Sequence, residues 1–323
     1  MNFYPEEEAR ALVIKAGLEL QKKQLVSRTW GNVSARISCS RFVITPSGRA
    51  YDDLRPEDLV VVNIEDCSYD GEIKPSSEKK IHAAAYALRE DISFIIHTHQ
   101  FYASAVGAEG EDLPFAPCAG YGLPGTGKLR KRVAEAISEN PAANAFLMKR
   151  HGALCLGKSY EDAFRIAEEL EEKCREVFEN RVGPWRPEGK KPDFAADFLK
   201  LDYPFSAGSS ELCSEVFSRR FSVSGKTLSP YLDDFAQIVG RNARCCPPSK
   251  LALRWALYER NAALVKNIGA FCVAATADDL EAVAQITEKN CAAALYVKNA
   301  QPLSQADALL QRTVYLKKYS RQK

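Results

Sequence analysis

The chain has 323 residues, enough for one large or two modest domains. Apolar residues make up 46% and charged residues 27%, an ordinary globular composition that excludes a disordered or fibrous chain. The net charge of +2 provides no basic field of the kind that nucleic acid requires.

The N-terminal segment is acidic and has no apolar run, which argues against a secretion signal. No stretch approaches the roughly 20 apolar residues that a membrane-spanning helix needs. We therefore expect a cytoplasmic protein without a membrane segment, in which the ten cysteines are reduced thiols. No Cys-x-x-Cys pair occurs, so metal binding by cysteine is a poor interpretation.

Apolar periodicity and turn residues predict alternating helices and strands, which indicates an α/β domain. The predicted helices are Glu6–Gln24, Ser77–Leu88, Leu129–Ser138 and one beginning at Ser159, and the predicted strands are Val33–Ser38, Arg41–Thr45, Leu59–Ile64, Ser93–Thr98 and Ala145–Lys149. Residues 107–127 are rich in Gly and Pro and are predicted to be mostly loop. A second Pro- and Gly-rich stretch, Gly183–Gly189, marks the expected end of this domain.

The C-terminal half contains an internal echo of the first half. The segment Asn144–Cys155 aligns without gaps with Asn261–Cys272, and the register continues into the helix that follows. The alternative is a chance similarity between two strand–turn–helix units, against which the continuous register argues. Ile268 replaces His151 in the second copy, so that copy has lost whatever this histidine does.

All four histidines fall between positions 82 and 151. His97 and His99 end an apolar strand, and side chains two residues apart share one face, so both can reach one ion. His151 follows another apolar strand and offers a third imidazole, a ligand type that suits zinc and other borderline metals. Each histidine alone fits a structural role; the combination favours a metal site.

The segment Pro75–Glu78 lies at a predicted helix N-terminus, where backbone N–H groups and the helix dipole favour a phosphate. Helix capping explains the same two serines equally simply. His82 lies one turn after Glu78 on the same face, and we interpret it as supporting structure rather than as a ligand. Gly31–Ser34 and Thr45–Gly48 are ordinary turn sequences when taken alone.

Together, these segments resemble the class II aldolase/adducin family, which includes fuculose-phosphate and rhamnulose-phosphate aldolases and ribulose-phosphate 4-epimerases. The matching segments are Gly31–Arg36, Ile44–Gly48, Pro75–Glu78 with His82 and Tyr86, His97–His99, and His151–Gly152. The resemblance implies a three-layer α/β/α fold with a mostly antiparallel central sheet. Residues 1–200 would form the catalytic domain, and residues 205–323 a ligand-less partial repeat with a structural or interface role.

The resemblance also implies the site. The implied metal ligands are His97, His99 and His151, with zinc expected first and manganese, cobalt or iron as alternatives. Glu78 would be the general acid/base, also close to the metal. The residues implied to hold the substrate phosphate are Asn32, Ser47, Gly48, Ser76 and Ser77. The implied reaction is cleavage of a small ketose phosphate into dihydroxyacetone phosphate or a related ketone and an aldehyde.

The sequence departs from the family pattern at the proton donor. Family aldolases protonate the departing alkoxide with a tyrosine from the region between the two histidine segments, and here residues 107–127 are shortened. We take Tyr121 as the candidate, with Tyr102 second. The alternatives are a 4-epimerase, dehydratase or decarboxylase on the same scaffold, and a non-catalytic adducin-like assembly module. Retention of the histidines and of Ser-Ser-Glu favours the enzyme.

Family members are typically rings with active sites at subunit boundaries, so the resemblance implies a homo-oligomer. We expect residues 205–323 to lie at an interface or in a neighbour-like position, with Tyr231 or Asp233 reaching an active site. The expected partner is a small phosphorylated sugar, with no nucleic acid and no membrane.

Overall fold

The computed structural model describes residues 3–26, 30–185, 209–213 and 216–319. The chain forms two compact units, the first ending at Val177 and the second beginning at Phe178. This boundary lies inside a helix, whereas the predicted domain limits at 200 and 205 fall outside the described residues.

The first unit follows the predicted element order. Its elements are α1 (Glu6–Lys22), β1 (Asn32–Arg36), β2 (Arg41–Ile44), β3 (Val60–Asn63), α2 (Lys79–Leu88), β4 (Phe94–Thr98), α3 (Phe101–Gly107), β5 (Cys118–Ala119), α4 (Gly127–Glu139), β6 (Ala145–Met148), β7 (Gly152–Gly157) and α5 (Tyr160–Val182). Ser159 caps α5 as expected, since its Oγ accepts a hydrogen bond from the N–H of Asp162 at 3.2 Å. Three elements, α3, β5 and β7, were not predicted. Of these, α3 and β5 are too short to show a clear apolar period.

The strands of the first unit form one sheet in the order β3-β2-β1-β4-β7-β6-β5. Every pairing is antiparallel except that of β5 with β6, which confirms a mostly antiparallel sheet. Helices α2 and α4 pack on the face to which Ile95 of β4 points. On the opposite face Phe94 contacts the rings of Tyr4, before α1, and Tyr160, at the start of α5. The expected α/β/α layering is therefore confirmed.

The second unit has a smaller sheet with its own apolar core. Its elements, after the end of α5, are β8 (Ser209–Cys213), α6 (Val216–Ser222), α7 (Asp233–Ile238), β9 (Cys245–Cys246), α8 (Lys250–Ala256), β10 (Ala262–Val265), β11 (Gly269–Ala274), α9 (Ala277–Tyr296) and α10 (Gln305–Val314). The strand order is β8-β11-β10-β9, with β9 parallel to β10 and the other pairings antiparallel.

The second sheet repeats the strand order of part of the first: β8, β11, β10 and β9 correspond to β4, β7, β6 and β5. In the first unit His97 is paired with Leu154, and in the second Leu212 is paired with Phe271, the residue aligned with Leu154. The β6–β7 turn holds Arg150 at φ 66°, and the β10–β11 turn holds Asn267 at φ 65°. The two turns thus share a left-handed backbone at aligned positions.

A carboxylate also caps a short helix in the same way in both units. Glu171 accepts hydrogen bonds from the backbone N–H groups of Tyr102 and Ala103 at the start of α3, at 2.8 and 3.0 Å. Glu288, which the sequence aligns with Glu171, accepts the backbone N–H groups of Phe217 and Ser218 at the start of α6. Such charge-assisted bonds satisfy N–H groups that have no partner within the helix.

Every cysteine whose side chain the structure describes is a free thiol. Among the described residues, no helix combines the length and the apolar character that crossing a membrane requires.

Candidate metal centre and active site

The three candidate ligand histidines are brought together by neighbouring strands. His97 ends β4, His99 follows it, and His151 lies in the tight turn between β6 and β7, next to β4 in the sheet. The turn closes onto β4 because residue 152 is glycine. A Cβ atom there would lie 2.1 Å from the carbonyl oxygen of Thr98, far inside van der Waals contact.

The rings of the three histidines form a compact triangle. The ring centroids are 5.0 Å apart for His97 and His99, 5.0 Å for His97 and His151, and 4.7 Å for His99 and His151. With Glu78, they offer four ligand atoms that all lie within 4.8 Å of one another, and all four residues are buried. The separations therefore allow one ion to be shared.

Hydrogen bonding orients the His97 ring toward this cluster. Its Nδ1 lies 2.8 Å from the carbonyl oxygen of Ala153, and since a carbonyl only accepts, Nδ1 carries the proton. Nε2 is left with its lone pair, buried, 3.0 Å from Glu78 Oε2 but not aligned to form a hydrogen bond within the described residues. Fixing one ring nitrogen on a carbonyl is how metal-binding imidazoles are commonly oriented. The donor set of three imidazoles and a carboxylate fits zinc.

Glu78 lies at the centre of this arrangement. Its Oε1 accepts a hydrogen bond from His151 Nε2 at 2.8 Å. Burial alone would raise the pKa of the carboxyl group, but the electrostatic effect of the adjacent His151 and His97 rings, with the hydrogen bond from His151, outweighs burial and holds the pKa well below its usual value. The carboxylate is therefore ionised, and a bound cation would favour the same form.

Two further loops carry the predicted phosphate-binding serines. Pro46 and Pro75 form an antiparallel bridge between these loops, in which the backbone N–H of Ser47 donates to Lys74 and that of Ser76 donates to Thr45. The Ser76 hydroxyl accepts a hydrogen bond from the backbone N–H of Glu78 at 3.2 Å, but the N-cap residue of α2 is Glu78, so neither serine caps the helix. Ser77 is exposed.

Asn32, also predicted to hold the phosphate, reaches Glu78 directly from β1. Its Nδ2 donates a hydrogen bond to Glu78 Oε2 at 3.1 Å. Sequence patterns gave no signal for this contact, because it requires β1 to pair with β4, where Asn32 is opposite His97. His82 lies outside the ligand cluster, as interpreted from the sequence, and it too contacts Asn32.

Tyr121 lies just after β5, and the guanidinium of Arg150, the residue before His151, stacks over its ring at 5.4 Å from the centroid. The same loop continues to Gly125, where a Cβ would lie 3.6 Å from Ser77. The loop thus contacts the immediate neighbours of two cluster residues, His151 and Glu78. Tyr102 lies in the first turn of α3.

The two residues named in the C-terminal half lie in the second unit. The buried carboxylate of Asp233 accepts a hydrogen bond from the Gln311 amide at 2.6 Å. Tyr231 donates its backbone N–H to Asn290 at 2.8 Å. Their role toward an active site remains a prediction.

Comparison with known proteins independently supports the resemblance to the class II aldolase/adducin family. The family model for the Class II Aldolase and Adducin N-terminal domain matches residues 11–178. The chain is 32% identical over 184 residues to a 5-deoxy-D-ribulose 1-phosphate aldolase of Bacillus thuringiensis serovar kurstaki, covering 53% of this chain and 84% of that protein. It is 30% identical over 171 residues to an L-fuculose phosphate aldolase of Escherichia coli strain K12, covering 49% and 77%.

Among solved structures, YgbL of Klebsiella pneumoniae, a proposed aldolase/epimerase/decarboxylase, is similar with a TM-score of 0.50 and 26% identity. That similarity covers 57% of this chain and 93% of the other. The matched residues include the buried cluster of three histidines and one glutamate. The chain therefore belongs to the class II aldolase and adducin N-terminal domain family, and it is an aldolase-type lyase.

Proposed function

We propose that this protein is a zinc-dependent aldolase that cleaves a small ketose phosphate into dihydroxyacetone phosphate, or a related ketone, and an aldehyde. The observation that carries the proposal is the buried cluster of Glu78 and the three histidines, with ligand atoms within 4.8 Å of one another. A non-catalytic assembly module has no need of four buried, convergent donors, which are costly to bury without a ligand. Manganese, cobalt and iron are the alternative metals.

Each residue of the cluster has a role in the proposed reaction. His97, His99 and His151 would hold the metal, which supplies Lewis-acid stabilisation of the negative charge that develops on the ketone fragment. Glu78, ionised and beside the metal-binding imidazoles, would move the proton on that fragment; such general acid/base help is typically worth about 10²–10⁴-fold in rate. Burial of all four residues excludes water and strengthens these interactions.

The two bridged loops are the proposed phosphate site. Ser76 and Ser77 directly precede the N-terminus of α2, where backbone N–H groups favour an anion, and the Pro46–Pro75 bridge joins their loop to that of Ser47 and Gly48. Asn32 has a second amide hydrogen besides the one donated to Glu78. A phosphate bound here would anchor the substrate within reach of Glu78.

Tyr121 is the proposed proton donor to the departing aldehyde. Its support is its position: the guanidinium of Arg150, the residue before the candidate ligand His151, stacks over its ring at 5.4 Å from the centroid. Tyr121→Phe is expected to lower kcat, while Tyr102→Phe, which tests the second candidate, is expected to leave it unchanged. Equal kcat for Tyr121→Phe and the wild type would remove Tyr121 from the mechanism.

The decisive experiment combines metal analysis with a substrate screen. The purified protein is expected to contain stoichiometric zinc, and His97→Ala is expected to lose it. Ketose 1-phosphates, including L-fuculose 1-phosphate and 5-deoxyribulose 1-phosphate, are then incubated with the zinc-loaded protein, and free aldehyde is measured. Release of aldehyde supports the aldolase, whereas an inverted sugar without aldehyde identifies an epimerase. Zinc binding without turnover of any sugar phosphate would contradict the proposal.

We also propose that the second unit is a partial copy of the first with a structural or interface role. Support comes from the repeated strand pairing, the matching turns and the matching carboxylate caps. Leu212 and Ile268 stand where His97 and His151 stand in the first unit, and since no histidine follows His151 in the sequence, this copy lacks all three imidazoles. Deleting residues 205–323 is expected to change the oligomeric state in size-exclusion chromatography. An unchanged, soluble and fully active assembly would refute it.

A further inference from the structure

A line of buried polar side chains continues from Glu78 away from the candidate metal centre. Glu78, His82 and Tyr86 are spaced four residues apart at the start of and along α2, so they form one stripe of that helix. Asn32 and Ser34 are two residues apart on β1, so they point to the same face of the sheet. The stripe and the strand face meet, and none of the five side chains is exposed.

Hydrogen bonds join these residues into one chain. Asn32 Nδ2 lies 3.1 Å from Glu78 Oε2, and Asn32 Oδ1 lies 2.6 Å from His82 Nε2. His82 Nδ1 lies 2.7 Å from the Ser34 hydroxyl, which in turn lies 3.0 Å from the Tyr86 hydroxyl. Phe42 stacks on the His82 ring from β2, with centroids 6.5 Å apart, which restrains the ring.

The Asn32 amide fixes the direction of the bonds on either side of it. Its NH₂ donates to Glu78, and its carbonyl oxygen, which can only accept, lies 2.6 Å from His82 Nε2. That oxygen needs a donor, so His82 must carry its proton on Nε2. Nδ1 then accepts a hydrogen bond from the Ser34 hydroxyl. A neutral ring has one proton to give, and burial lowers the pKa of His82 to about 3, which keeps the ring neutral.

We propose that His82 is a positioning residue for the reaction: through the Asn32 amide, its Nε2–H locks the carboxylate of Glu78 in the orientation that proton transfer requires. This inference rests on the proposed function for its kinetic consequence, but the tautomer itself does not. Without the His82 donor, the Asn32 amide is free to turn over. Its oxygen would then face the carboxylate, and two acceptors would repel each other where a hydrogen bond had been.

The first test reads the tautomer directly. Two-bond ¹H–¹⁵N correlation spectra of the full-length protein resolve the ring nitrogens of its four histidines, and the signal lost in His82→Gln assigns His82. The expected result is a neutral ring protonated on Nε2. A neutral ring protonated on Nδ1, or a doubly protonated ring, would overturn the inference, whatever the protein catalyses.

The second test separates positioning from folding. Glutamine can place an amide N–H near the position of the imidazole Nε2, whereas leucine fills similar space without a donor. His82→Leu is therefore expected to lower kcat by about 10- to 100-fold, the usual effect of losing a partner of a metal-site group. Zinc content should stay unchanged, because the three imidazoles are untouched, and the fall in kcat should exceed any rise in KM that the turned Asn32 amide causes. His82→Gln should recover most of the lost kcat.

The outcomes are distinguishable from those of the proposed function. If the wild-type protein cleaves no sugar phosphate, the proposed function fails and the tautomer measurement still decides the inference. If the wild type is active and His82→Leu and His82→Gln lose kcat equally, His82 does not act through its Nε2–H. If both variants lose zinc, the residue is structural, and the inference is likewise overturned.

Discussion

The burial of His82 makes a quantitative prediction about stability and pH. The side chain is 0% exposed, and its pKa is lowered from 6.5 to about 3, first because burial removes the solvation of the charged ring and second because the nearby His97 ring opposes a positive charge on His82. In the unfolded chain the ring titrates normally. Between these two pKa values the unfolded state therefore binds more protons than the folded state.

Stability must consequently rise with pH in this window and be lost as the pH falls. The loss begins near 6.5, the unfolded value, and continues down to about 3, the folded value. At pH 5 the unfolded ring is mostly protonated and the folded ring is not, which corresponds to about 2 kcal/mol at 25 °C. His82→Gln keeps the hydrogen-bonding groups but cannot be protonated, so it should lose this part of the pH dependence.

The assay is urea unfolding of the metal-free protein at pH 7 and at pH 5, followed by circular dichroism. The wild type is expected to lose about 2 kcal/mol more than His82→Gln between the two pH values. Glu78 and the three ligand histidines are present in both proteins, so their titration cancels in the comparison. Equal pH dependence in the two proteins would mean that the His82 ring is protonated or solvated in the folded state, and the reasoning from burial would be refuted.

Three further predictions concern zinc binding and the stability of the fold. Gly152→Ala should lose bound zinc in metal analysis, since its Cβ would lie 2.1 Å from the Thr98 carbonyl oxygen. The control Gly127→Ala, whose Cβ would have nothing within 4 Å, should keep zinc. Retained zinc in Gly152→Ala would contradict the close approach. Glu171→Ala should lower the free energy of unfolding by about 2 kcal/mol, because it removes two hydrogen bonds to the start of α3. Glu288→Ala is the equivalent change in the second unit. An unchanged urea midpoint would refute this prediction. Chelation should lower the Tm, and free zinc at 100 times its Kd should restore about 2.7 kcal/mol; an identical Tm with and without zinc would argue against a metal site.

Several features of the site follow from local geometry alone. A strand alternates its side chains, so His97 and His99 must share a face wherever β4 lies. A helix repeats every 3.6 residues, so Glu78 and His82 must lie on one stripe of α2. These periods are properties of the backbone, which is why apolar patterns predicted both the elements and this part of the constellation. The ordered segments of the family resemblance added the roles.

The partners of these residues depended on tertiary structure. Asn32 reaches Glu78 because β1 pairs with β4, a strand that comes much later in the chain, and Asn32 is then opposite His97. Arg150 reaches Tyr121 because the short strand β5 pairs with β6. Strands of similar composition can pair in many orders, and the order is decided by the packing of the whole sheet against its helices, so local patterns carry no information about it.

The sequence by itself therefore determined which side chains could act together within one strand or one helix, and that the C-terminal half had lost a histidine. Only the tertiary structure decided that two separate segments bring three imidazoles to the carboxylate of a third, and that a buried histidine contacts the asparagine bound to this carboxylate. The physical reason is that side-chain direction is a local property of the backbone, whereas convergence depends on which strands become neighbours.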